Sequence, residues 1–94
     1  MDLIDWIQDW YKSNCNGDWE HSYGVSIDTL DNPGWLVKID LKNTKWENLK
    51  LDPKQVEKNE EDWYHVKIQN FSFQSACSPN NLKIVLNIFK NITQ

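Results

Sequence analysis

The sequence predicts an α+β domain: an N-terminal helix, an antiparallel sheet of four to five strands built from hairpins, and a C-terminal helix packed on that sheet. Three observations carry this expectation. Both ends of the chain repeat their apolar residues at the 3.6-residue period of a helix. The segments between them alternate apolar and polar residues at the two-residue period of a strand. Asn, Asp, Pro and Gly fall between the alternating runs, the pattern of hairpins rather than of crossover helices. The chain has 94 residues, enough for one core and hence one domain, residues 1–94.

From Asp2 to about Ser13 a helical period places Leu3, Ile4, Trp6, Ile7, Trp10 and Tyr11 on one face. Asp2, Asp5 and Asp9 fall on the opposite face, and the first two suit the positive end of the helix dipole. Asn14 to Asp18 then stops the helix, because Asn and Gly tolerate the left-handed backbone that ends one. From Trp19 to Leu30 the period becomes two. Trp19, His21, Tyr23, Val25 and Ile27 share one strand face, with Glu20, Ser22, Ser26 and Asp28 on the other. Asp31-Asn32-Pro33-Gly34 predicts a type II turn, with Pro33 at its first central position and Gly34 at positive φ. Trp35 to Leu41 returns as the second strand, with Trp35, Val37, Ile39 and Leu41 facing one way.

Lys42 to Glu61 carries the weakest pattern. Lys45 to Leu51, with Trp46, Leu49 and Leu51, suggests a third strand ended by Asp52-Pro53. Lys54 to Asp62 reads as an exposed, charged edge or a loop. Trp63 to Gln69 alternates clearly, with Tyr64, Val66 and Ile68 on one face and Trp63, His65 and Lys67 on the other. Phe71 to Ser75 alternates again after a turn at Asn70, which makes a second hairpin. Ser78 is placed to cap the last helix, with Pro79 at its first position. Leu82, Val85, Leu86 and Phe89 form that helix's core stripe, widened by Ile84, Ile88 and Ile92.

Composition narrows the function. The net charge is −4, which argues against nucleic-acid binding, since that needs a basic face. Its start lacks the basic and apolar regions of a signal peptide, and no apolar run reaches membrane-spanning length. A cytoplasmic protein with no membrane partner is expected. The two cysteines, Cys15 and Cys77, form no metal or redox motif and are expected as free thiols. No zinc-ligand spacing links them to His21 or His65, and no Gly-rich phosphate loop is present. No metal or cofactor is therefore expected.

Two catalytic readings remain at this stage. Cys77 precedes a helix start, where a thiol pKa falls, an arrangement akin to rhodanese-like sulfur transfer. The residues after it supply neither the glycine nor the arginine to hold an anion. Asp18 and Glu20 form a carboxylate pair able to divide acid and base roles. Against these stands the aromatic inventory. Six tryptophans exceed what one small core needs, and Trp and Tyr are the residue types that anchor protein interfaces. An open sheet face bearing Trp19, Trp35, Trp46 and Trp63, ringed by Asp18, Glu20, Asp31, Asp40 and Asp62, would suit a basic protein partner.

Four stretches also carry a resemblance. They are Trp6-Ile7-Gln8-Asp9-Trp10-Tyr11; Gly17-Asp18-Trp19-Glu20-His21-Ser22-Tyr23-Gly24-Val25; Thr29-Leu30-Asp31-Asn32-Pro33-Gly34-Trp35; and Asp62-Trp63 with Ala76-Cys77-Ser78-Pro79-Asn80-Asn81-Leu82. In these the chain resembles the immunity protein 53 family, bacterial antidotes to polymorphic toxins. The likeness is weakest from Lys42 to Glu61, and the family usually has glycine where Ser78 stands. The resemblance implies a non-enzymatic protein that binds and neutralises a cognate toxin domain stoichiometrically in the cytosol. A monomer or weak homodimer is expected. A nuclease is one candidate for such a toxin. The expected interface is Asp18, Glu20, Tyr23, Asp31, Trp35, Asp62 and Trp63, with Trp19 and His21 beside them.

Overall fold

The structure is a computed structural model that describes residues 2–94. Helix α1 spans Leu3–Asn14 and a short helix α2 spans Trp19–Ser22. Strands β1 (Val25–Leu30), β2 (Gly34–Asp40), β3 (Lys54–Asn59), β4 (Asp62–Gln69) and β5 (Ser72–Cys77) follow, and α3 (Leu82–Thr93) closes the chain. The sheet is antiparallel throughout, in the order β1-β2-β5-β4-β3. The expected α+β layout with flanking helices is what forms.

Helix α1 begins at Asp2, whose carboxylate accepts the Asp5 N–H at 2.8 Å, satisfying one of the donors a helix start leaves free. Both long helices lie on one face of the sheet. There Val37, Ile39 and Leu41 meet Val66, Phe73 and Cys77 beneath Trp10, Val85, Leu86 and Phe89. Aromatic edges knit this layer together: Trp10 stands edge-on to Phe89 at 5.0 Å, and Phe73 lies 5.1 Å from the same ring. Ile4 and Ile84, placed by periodicity on the apolar stripes, lie exposed at the stripe margins, by 57% and 42%.

Four expectations need correction. Trp19 to Ser22 is helical, so Trp19, His21 and Tyr23 do not share a strand face. Trp19 and Tyr23 are four residues apart, a spacing that satisfies both periods, and the caps decide for the helix. Asn16 Oδ1 accepts the Asp18 and Trp19 N–H groups, and Glu20 reaches back to those of Asn16 and Gly17, a reciprocal cap. Gly17 supplies the positive φ, +88°, that this tight loop needs.

Second, Gly34 is not at positive φ, and the Asn32–Pro33 peptide is cis. Glycine is needed at position 34 because a Cβ there would run into the Cys77 carbonyl oxygen. Third, Lys45 to Leu51 is turn and coil. Trp46 is held there by long-range packing, its Nε1 donating to the Thr93 carbonyl at 3.1 Å. Fourth, α3 starts at Leu82 behind Asn81, and Ser78 spends its hydroxyl on β4 instead of capping the helix.

Candidate partner-binding surface

Register assigns the sheet's second face, opposite the helices. Directly opposed residues in an antiparallel ladder point the same way. One row therefore runs Asp28, Leu36, Ala76, His65 and Gln55 across all five strands. Glu57 stands opposite Trp63 in the adjacent row. The β1–β2 turn and the β3–β4 turn rise at the same end of this face. Between them lies a groove of about 760 Å³, with Asn32 and Pro33 on one wall, Glu57 to Glu60 on the other, and Trp63 and His65 on its floor. A smaller hollow of about 480 Å³ continues past His65 toward Leu36, Lys67 and Ala76.

The floor is held from beneath. Ser78 Oγ accepts the Trp63 N–H and donates to the Trp63 carbonyl, both at 3.2 Å. The Ser78 N–H and Asn81 Nδ2 reach that same carbonyl at 3.0 and 3.1 Å. Asn81 Nδ2 also donates to Asp62 Oδ1 at 3.0 Å. The backbone of Trp63 is thus clamped while its half-buried indole faces the groove, 5.4 Å from the His65 ring. His65 Nε2 meets Glu57 Oε1 at 2.9 Å, and Gln55 Nε2 donates to that oxygen at the same distance.

The residues expected at an interface divide between two ends of the molecule. Trp63 lies in the groove, and exposed Asp31 adjoins its Asn32-Pro33 wall. Asp62 faces the helix side and is tied to Asn81. Trp35 also turns to the core, where its Nε1 donates to the Pro79 carbonyl at 3.0 Å. Asp18, Trp19, Glu20, His21 and Tyr23 sit at the far end of β1, about 20 Å away by strand rise. Trp19 is 3% exposed, with its Nε1 donating to the Lys42 carbonyl. Tyr23 leans on that indole, 6.3 Å from it, while Asp18 and His21 are exposed. Of the six tryptophans, Trp63 is the one outside the core cluster. The expected four-tryptophan surface is therefore one tryptophan, and Trp19, Trp35 and Trp46 serve the interior.

Glu57, Glu60, Asn32 and Pro33 were not among the expected site residues, and His65 was weighed only as a metal ligand. The alternation of β4 was the available signal, since it puts His65 on the same face as Trp63.

The catalytic candidates are poorly placed for chemistry. Cys77 is fully buried, and burial pushes its thiol pKa up. That leaves it without access or thiolate character. Backbone N–H groups, its own first and then those of Asn16 and Gly17, hold the Glu20 carboxylate below the usual range. Glu20 is thus spent on capping α2. Among the described residues, no three His, Cys, Asp or Glu side chains converge as a metal site. None of the described helices is long and apolar enough to cross a membrane.

A family model, immunity protein 53, matches residues 4–94. The chain belongs to the immunity protein 53 family. No curated protein and no solved structure matches it. For an immunity protein, membership implies a protein partner, a toxin.

Proposed function

We propose that this immunity protein neutralises a cognate toxin domain in the cytoplasm by equimolar binding, with the groove over Trp63 as the docking surface. The observation that supports this most is the placement of that indole. Five tryptophans pack into or against the core, and the sixth lies on the open face in a groove of about 760 Å³. Half-buried aromatic side chains in concave, rigid surroundings are the usual anchors of protein interfaces. Glu57 and Glu60 on the groove wall, with Asp31 beside the other wall, outnumber the one lysine there, Lys58, and favour a basic side chain from the partner. An arginine there would stack on the indole and pair with a carboxylate. Inhibition then needs no catalysis: the immunity protein covers the toxin's working surface.

Co-expression with the toxin domain encoded beside this protein's gene tests the proposal. Growth rescue that is lost on Trp63→Ala supports both the function and the surface. Rescue indifferent to Trp63, Glu57 and Glu60 would sink the surface, and no rescue would sink the neutralisation.

A further inference from the structure

The two edges of the sheet are built differently. Strand β3 is guarded by Lys54, Glu57 and Lys58 and by a register irregularity between Glu57 and Asn59. Charges and bulges of this kind block the addition of another strand. Strand β1, Val25-Ser26-Ile27-Asp28-Thr29-Leu30, has no lysine, no proline and no bulge. Its one charge, Asp28, already accepts the Ser26 hydroxyl at 2.9 Å. Ser26 to Thr29 are all exposed, Ile27 by 37%.

The ladder fixes which backbone groups of β1 are free. The Asp40 N–H donates to the Gly24 carbonyl at 3.0 Å, and this pair continues the β1–β2 register. Hydrogen-bonded pairs alternate along an antiparallel ladder. Ser26, Asp28 and Leu30 therefore bond to β2. The N–H and C=O groups of Val25, Ile27 and Thr29 point away from the sheet.

We propose that these groups pair with the same groups of a second copy of this chain, antiparallel about a twofold axis at Ile27. Five strands from each copy then form one continuous sheet. In this register Ile27 opposes Ile27, and Val25 opposes Thr29 on both sides. All the outward groups of these three residues are used, about six hydrogen bonds by the pairing rule. On the open face each Ser26 opposes the other copy's Asp28, so no two carboxylates stand directly opposite. Moving the axis to Asp28 sets two carboxylates directly opposite, which is destabilising. Moving it to Ser26 leaves Thr29 unpaired. The segment is complementary to itself in one register, and that selects a second copy over an unrelated extended peptide. The axis is normal to the sheet, so both Trp63 grooves stay open on the same side. The pairing does not depend on what those grooves bind.

Sedimentation of the purified chain tests this directly. The wild type is expected at twice its 11.2 kDa mass, dissociating on dilution. Ile27→Lys and Ile27→Asp are each expected as monomers with unchanged circular dichroism. Mixing the two should restore the doubled species, because only this register brings position 27 against itself. Thr29→Pro is a second route to a monomer, since the lost N–H is not part of the β1–β2 ladder. A wild type that stays monomeric to millimolar concentration overturns the proposal. So does a dimer that persists in Ile27→Lys or Thr29→Pro, or a mixture that fails to pair.

Discussion

Trp19 and Trp63 carry the same side chain and do opposite work. Trp19 fills the space between α1, α2 and the Lys42 backbone, and it is almost wholly buried. Trp19→Ala removes that volume and is expected to destabilise the fold by about 3–5 kcal/mol in urea titration. Trp63 keeps its backbone clamped by Ser78 and Asn81 whatever its side chain. Trp63→Ala should leave the urea midpoint nearly unchanged and weaken toxin binding by about 2 kcal/mol or more. That is roughly 30-fold in Kd by calorimetry. Glu20 makes a claim about pH. Its folded pKa lies below the ordinary value of 4.5 because backbone donors hold the charged form. Its contribution is therefore full above that ordinary value and is lost as pH falls through the lower folded one. Glu20→Gln should be less stable than wild type at neutral pH and converge with it in strong acid, as read by urea midpoints in the two conditions.

The Ser78–Asn81 turn links the helix layer to the floor of the groove. Asn81 sits at the start of α3, yet its side chain makes no cap hydrogen bond to the helix and goes to Asp62 and the Trp63 carbonyl. Asn81→Ala should cost about 1–3 kcal/mol of stability for the unmet carbonyl and carboxylate. It should also loosen the groove floor and speed toxin release, as surface plasmon resonance would show. This turn marks a boundary of what the sequence made legible. Ser-Pro before an apolar helical run reads as a cap, and nothing local reveals that β4 claims the hydroxyl. The same limit hid α2, because Trp19 and Tyr23 fit either period. It also hid the loop at Trp46, whose indole bonds to a residue 47 positions away. The strands with clean alternation, β2 and β4, were legible down to the face each residue takes, whereas β5 was legible only as a strand: it runs Ser72–Cys77, and Phe71, expected in it, lies in the turn at φ +59°. Of the groove, only Trp63 and the adjoining Asp31 were legible as candidates. Its other parts come together through the strand order β1-β2-β5-β4-β3, which brings two distant turns to one end of the sheet.

At the scale of the whole molecule, one aromatic core lies between the helices and the sheet, and the opposite sheet face is left open. On the proposed function, stability and recognition are then divided between the two faces. The net charge of −4 and the carboxylates at the groove should steer a basic toxin into place. The association rate is expected to fall steeply between low and high salt, because screening shortens to about 8 Å at physiological ionic strength. Stopped-flow mixing over a salt series reads this, and a flat series would rule out steering. The central claim, that this immunity protein covers its toxin through the Trp63 groove, is tested most directly by co-purification. The toxin domain encoded beside it should leave the column in equimolar complex with wild type and with Asp18→Ala. It should dissociate from Trp63→Ala and from Glu57→Lys. A complex that survives both of these and is lost with Asp18→Ala or His21→Ala would contradict the account and move the interface to the far end of β1.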